Sequence, residues 1–322
     1  MTQDRRHLAT DSGSRAFRIL EENLIFVSLL AIVALFGVIS DSFLSLTTLS
    51  TLFNQLPALT VVSIGMTLVL ISGGIDLSVG SVVALSAGVI GAGISLFGLP
   101  LPLAACLGIL AGALAGFANG GLGAYLRLPI FIVTLGMLEV ARGLAYLVTD
   151  SQTVYIGTTI QAFAMPWGGS GVSASILVAL TLVVAFEFLL RSTVFGRQIV
   201  AVGSNESAAE VSGIDPRRVR CTVLVISGLL AGVGGLMNAA YLGSADPNAG
   251  IGLELSAIAA AVIGGTSLMG GRGSVIGAFV GVLIVSVLQI GLAQIGITEP
   301  TKRVITGAVI ILAVILDRWR AA

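Results

Sequence analysis

Long apolar runs broken by charged residues, prolines and glycine pairs divide the chain into ten segments, at residues 24–40, 57–72, 79–97, 101–121, 130–148, 173–190, 219–242, 254–264, 275–295 and 304–316. In helical form about 20 apolar residues cross the roughly 30 Å of bilayer hydrocarbon. The pattern therefore predicts an all-α polytopic membrane protein with about ten spanning or partly spanning helices. Residues 23–322 form one transmembrane domain in this reading, after a polar tail at 1–22. The runs at 57–72 and 254–264 are short and lead into glycine pairs, Gly73-Gly74 and Gly264-Gly265, which reads as broken or partial spans. Such breaks are tolerated only where protein or a cavity satisfies the freed backbone groups.

The two breaks resemble each other. Gly73-Gly74-Ile75-Asp76-Leu77, followed by Gly80-Ser81-Val82, is echoed by Gly264-Gly265-Thr266-Ser267-Leu268, followed by Gly273-Ser274-Val275. The echo predicts two related halves, and paired interrupted segments point to a translocation path. Gly73, Gly74, Asp76, Gly264, Gly265, Thr266 and Ser267 are the candidates for it. The plain alternative is chance in a chain with 42 glycines, where small residues also let membrane helices pack closely.

Composition agrees with the pattern. Hydrophobic residues make up 56% of the 322 and charged residues 10%, against about 25% charged in soluble domains. Mean hydropathy is +1.06, which excludes a soluble protein. Net charge is zero, so nucleic acid is not an expected partner; membrane lipid is. With the N-terminus inside and all ten segments crossing, 13 of the 16 basic residues fall on inside loops or tails, only Lys302 and Arg303 fall outside, and Arg142 lies within a span. That asymmetry predicts both termini on the cytoplasmic side. The tail carries Arg5, Arg6, Arg15 and Arg18 among acids and no small-residue cleavage site follows it, so it reads as a cytoplasmic tail before a retained first span. Cys106 and Cys221 lie far apart without metal-ligand spacing and read as packing residues.

Several chemistries lack their residues. A Walker A loop needs a lysine after its glycines, and the one lysine, Lys302, sits in Glu299-Pro300-Thr301-Lys302-Arg303. The one histidine, His7, lies in the tail, which leaves neither a zinc-protease motif nor a Ser-His pair. The chain reads as a transport subunit without an ATPase site and not as an enzyme.

Ionisable groups within spans are costly and each needs an account. Glu139 and Arg142 are three apart, so they pair on one helix face or line the solute path. Glu187 and Arg191 read as a surface pair at a helix end. Asp76 in its glycine break is suited to capping the next helix, or to a gate or subunit contact. Asp246 and Glu254 flank an outward loop, either solvated or facing an external partner. No chain of intramembrane acids marks a proton or sodium relay, which weakens an ion-coupled carrier.

The longest charged stretch between spans is 191–220. Its centre predicts a short helix: Ser204 or Asn205 as N-cap, Glu206 in the first turn, Ala208 and Ala209 for propensity, Glu210, and Gly213 as the stop. A short helix on the cytoplasmic face is suited to docking; an ordinary polar connector is the alternative.

Four stretches together resemble the permeases of ribose, xylose, arabinose and galactoside type ABC importers. They are Gly73-Gly74-Ile75-Asp76-Leu77-Ser78-Val79-Gly80, Pro129-Ile130-Phe131-Ile132-Val133-Thr134-Leu135-Gly136, the loop from Ala201 to Ile214, and Gly264-Gly265-Thr266-Ser267-Leu268 with Gly270-Gly271-Arg272-Gly273-Ser274. The resemblance implies a type II importer-like permease in a bacterial inner membrane, moving a pentose, hexose or related polyol. It implies a second permease copy or a related permease, a cytoplasmic ABC ATPase that carries ATP and magnesium, and a periplasmic solute-binding protein. No cofactor is implied on this chain. Ser204 to Ile214 then looks like the helix that couples permease to ATPase. An ion-coupled secondary transporter, or less readily a membrane enzyme, is the alternative.

Overall fold

The computed structural model describes residues 25–167 and 172–321. The 1–22 tail lies outside the described residues. Each of the ten predicted segments contains a helix: α1 (Ile25–Ile39), α2 (Leu46–Ile71), α3 (Val79–Ser95), α4 (Leu101–Gly120, prolonged by a π-turn at Gly121–Tyr125), α5 (Ile130–Val148), α7 (Ala174–Ser192), α10 (Pro216–Leu242), α11 (Leu253–Ile263), α12 (Val275–Gln294) and α13 (Glu299–Ala321). Three short helices join them, α6 (Thr158–Gln161), α8 (Val194–Ser204) and α9 (Glu206–Val211). Among the described residues six are long and apolar enough to cross a membrane: α2, α4 with its π-turn, α5, α7, α10 and α12.

One expectation is corrected. The run at 57–72 is not a short span, because α2 starts at Leu46, capped by the Ser45 hydroxyl on Thr48 N–H, and carries Pro57 inside it. Its 26 residues reach about 39 Å. The segment at 254–264 is short, as expected: α11 has 11 residues, about 16 Å.

Burial ranks the helices. The apolar window of α2 is 83% buried and that of α5 only 17%, so α2 is central while α5 turns most of its side chains outward. α10 packs along α4, α2 and α3. Its closest contact is with α4, where Gly112 and Gly116 meet Gly228 backbone to backbone and a methyl on any of them would clash. Without a hydrophobic drive between helices in lipid, such close approach is what holds them.

The ends of α2, α8, α11 and α12 fix two faces. Ile71 at the end of α2, Gly203 in α8 and Gly271 before α12 meet at one, called here the α9 face. On the opposite face Val154–Tyr155 pairs antiparallel with Ser244–Ala245. The chain then descends inside the protein: Ala245 lies against Gly91 of α3, and Gly250 against Gly80. Those two glycines are about 16 Å apart along the helix. α11 starts there, deep in the domain, and runs to the α9 face. A short strand, a run of turns and a half-helix thus make one discontinuous span.

Non-helical backbone at that depth needs partners, and Arg142 supplies them. Its guanidinium donates to the carbonyls of Pro247 (2.5 Å) and Ala249 (2.9 Å). Tyr146, one turn on, donates to Asn248 Oδ1 (2.7 Å). The expected Glu139–Arg142 pair is absent among the described residues. Two part-buried backbone oxygens outside any helix take the donors that a glutamate on the same helix would otherwise receive.

Candidate functional site

α2 and α11 end in the same motif. Gly73 N–H bonds Leu70 O and Gly74 N–H bonds Val69 O; Gly265 N–H bonds Val262 O and Thr266 N–H bonds Ala261 O. Gly73 (φ +81°) and Gly265 (φ +87°) occupy the left-handed position that favours glycine. The two breaks are therefore equivalent with a one-residue offset: Gly73 matches Gly265 and not Gly264.

After the first break, Asp76 is buried and organises the start of α3. Its Oδ1 accepts from the Ser78 amide (3.0 Å) and hydroxyl (2.6 Å), and its Oδ2 from Ser227 Oγ of α10 (2.9 Å). Asn119 of α4 donates to Ser78 Oγ (2.9 Å). Thr134 of α5 bonds both Ile75 O and Leu77 N–H. Asp76 thus holds the Ser78 turn just ahead of α3, whose own cap has no side-chain bond, and ties α10 to the break, while Asn119 and Thr134 tie α4 and α5 to it. In the second break Thr266 is buried, and Ser267 closes a turn through Arg272 O and Met269 N–H.

The start of α12 is capped from a distance. Glu187 of α7 accepts from the amides of Val275 (2.7 Å) and Ile276 (3.1 Å) and from Ser274 Oγ. It is 6% exposed and also paired with Arg191, so the expected surface pair is corrected to a buried cap with a surface partner.

α9 forms where the sequence placed it, and of the two possible caps Asn205 serves. Its Oδ1 accepts from Ala208 N–H (3.0 Å), while Ser204 belongs to α8 and donates to Val200 O. Gly213 (φ +82°) and Ile214 close α9 with bonds to Glu210 O and Ala209 O, as at the two breaks. Glu206 and Glu210 are exposed and Ala209 packs inward.

These pieces converge. Gly203 lies so close to the Ile71 carbonyl and the Gly271 amide that a methyl there would overlap both. Gly271 N–H bonds Ile71 O (2.9 Å), joining the second break to the last carbonyl of α2. Arg220 of α10 donates from Nε to Ser72 O (3.3 Å), while its Nη1 pairs with Glu206 Oε2 (2.8 Å). One arginine therefore links α9 to the first break, and the orphan carbonyls at the end of α2 all have partners. Beside it a recess of about 700 Å³ is bordered by Gly74, Arg127, Ile130, Glu206, Glu210 and Arg217. Arg220, Ser227 and Asn119 are residues that sequence reasoning did not single out.

The comparisons with known proteins agree with this architecture. The family model of the branched-chain amino acid transport system / permease component matches residues 48–314, from α2 into α13 and across both breaks and α9. The ribose import permease protein of Escherichia coli (strain K12) is 36% identical over 314 residues, covering 96% of this chain and 98% of the relative. The ribose import permease protein of Bacillus subtilis (strain 168) is 40% identical over 301 residues, covering 92% of each. The L-arabinose ABC transporter permease protein of Azospirillum brasilense is 39% identical over 261 residues, covering 80% of this chain and 76% of the relative. No solved structure matches the chain. A multi-pass membrane protein with no ATPase motif, matched over most of its length, the chain belongs to this permease family as a subunit of the ABC importer kind.

Proposed function

We propose that the chain is the permease of a binding-protein-dependent importer of a monosaccharide or related polyol, driven by ATP hydrolysis on partner subunits. The relatives named for ribose and arabinose support the solute class. The observation that carries the mechanism is the junction at Arg220, where an ion pair with Glu206 joins α9 to the first break and the Gly271 N–H to Ile71 O bond joins that break to the second. In this reading α9 seats on a cytoplasmic ABC ATPase holding ATP and magnesium. Val211 on α9 and Met269 at the tip of the second break are 91% and 85% exposed, and give that contact its apolar part.

Movement of α9 reaches Ser72 through Arg220 and reaches Ile71 through Gly203 and Gly271. Packed elements with two arrangements carry such displacement, and the breaks are where the spans bend. A second permease copy completes the unit, and a periplasmic binding protein delivers solute to the face opposite α9. The α9 face is cytoplasmic in this arrangement, consistent with the basic residues around it.

Proteoliposomes test this. Radiolabelled D-ribose, D-fructose and L-arabinose are offered to vesicles holding the chain with its ATPase and binding protein, and to vesicles holding the chain alone. Uptake of at least one sugar that requires ATP and both partners is the expected result. Ion-gradient-driven uptake by the chain alone would establish a secondary carrier instead.

A further inference from the structure

The face opposite α9 holds a recess of about 790 Å³, enclosed by the start of α2, the end of α10, the descending chain at Gly250–Gly252, α11, the end of α12 and the start of α13. Small-molecule sites occupy about 300 to 1,000 Å³. Its wall is unusual for a membrane helix bundle. Thr47, Thr51 and Gln55 recur every four residues and form one stripe on α2, facing Asn238, Ser256 and Gln289 from three other helices. Carboxamides and hydroxyls in apolar helices are costly against lipid and belong where they line an aqueous or ligand-filled space. Asn238 adds a separate observation: it lines the recess, and its Oδ1 has no hydrogen-bond partner among the described residues. A buried acceptor left open costs free energy that a donor from a ligand would recover.

The chemistry of the wall selects a class. Carboxamides and hydroxyls offer paired donors and acceptors with no charge, which matches vicinal hydroxyl groups. The charged residues, Glu299, Lys302 and Arg303, come only from α13 at one side, where Lys302 and Glu299 pair at 2.5 Å. An anionic or cationic solute would meet no compensating charge on α2, α10 or α12. The floor is the descending chain that Arg142 holds, so the recess adjoins the half-helix α11, which ends at the second break and α9.

We propose that this recess is an intramembrane binding site for a neutral polyhydroxylated solute, with Asn238, Gln289, Thr51 and Gln55 as its hydrogen-bonding residues. The inference rests on the sugar-importer reading and deepens it by placing the solute. The solute leaves the binding protein, occupies this recess, and is released when α11 moves with the second break.

The test uses the chain in lipid nanodiscs, with Cys106→Ser and Cys221→Ser to remove the native thiols and Ala293→Cys, at an exposed lining position outside the hydrogen-bonding set, as reporter. Labelling by a water-soluble maleimide is followed with D-ribose, D-fructose, L-arabinose or the charged analogue glucosamine present. Protection of at least about threefold by a neutral sugar and none by glucosamine is expected. In the reconstituted importer, Asn238→Leu and the near-isosteric Thr51→Val are expected to lower uptake at least about fivefold while the ATPase still co-purifies; Thr51→Val serves if Asn238→Leu fails to fold. No protection, with normal uptake by Thr51→Val, would overturn the site even where ATP-driven import is intact. Protection in a chain that imports none of the sugars would instead retain the site and remove the importer reading. Equal protection by glucosamine would overturn the selection for neutral solutes.

Discussion

Asp76 and Glu187 are carboxylates buried in the protein, each placed at the start of a helix that begins after a glycine break. Both exchange hydration for amide and hydroxyl donors, which is the condition for burying a carboxylate. Asp76→Ala leaves the hydroxyls of Ser78 and Ser227 without their acceptor, at a cost of about 1–3 kcal/mol. The expected outcome is a lower thermal midpoint in detergent, with Asp76→Asn, which keeps an acceptor oxygen, falling between variant and parent. Glu187 offers a sharper contrast. Arg191 is 68% exposed in its side chain, so solvent screens its half of the pair, and Glu187 keeps its amide donors when Arg191 is removed. Arg191→Ala should therefore change the midpoint little, whereas Glu187→Ala, which strips two amides of α12, should lower it clearly. Equal effects would show that the ion pair, not the cap, is what matters. The sequence spacing of Glu187 and Arg191 did reveal their contact, but local spacing has no reach to Val275. Glu139 and Arg142 show the same limit: three residues apart they could pair, yet the carbonyls that Arg142 serves come from the α10–α11 connection.

At the scale of elements, α9 was legible because its cap, its acid, its alanines and its terminating glycine are all local. Asn205→Ala is expected to weaken α9 by about 1 kcal/mol, and Asn205→Asp to leave it intact. Co-purification of the ATPase with each variant measures this, and equal recovery with Asn205→Ala would place the docking contact elsewhere. The start of α2 was not legible, and the reason is physical. Thr47, Thr48, Thr51, Asn54 and Gln55 interrupt the apolar run, so hydropathy begins the span at Pro57. Part of that polar stripe lines the recess opposite α9, so the residues that hid the helix mark its function. The repeat was legible as glycine pairs, but its one-residue offset appears only in the hydrogen bonds that close α2 and α11.

Across the whole molecule, the two breaks divide the bundle into parts that meet at the α9 face and enclose a polar recess at the other. Membership of the permease family was carried by motifs in order along the chain, of which the second break and the loop from Ala201 to Ile214 set glycines at close backbone crossings. Gly203 is the tightest of these. Gly203→Ala is expected to disrupt the packing of α8 on α2 by about 1–3 kcal/mol, read as loss of monodisperse protein on size exclusion. The central claim, that α9 drives the breaks through Arg220, is tested most directly by the ratio of sugar imported to ATP hydrolysed in the reconstituted importer. For Arg220→Gln the ratio is expected to fall about tenfold, equivalent to about 1.4 kcal/mol of lost coupling, with the ATPase still bound and hydrolysing. A ratio equal to that of the parent would contradict it.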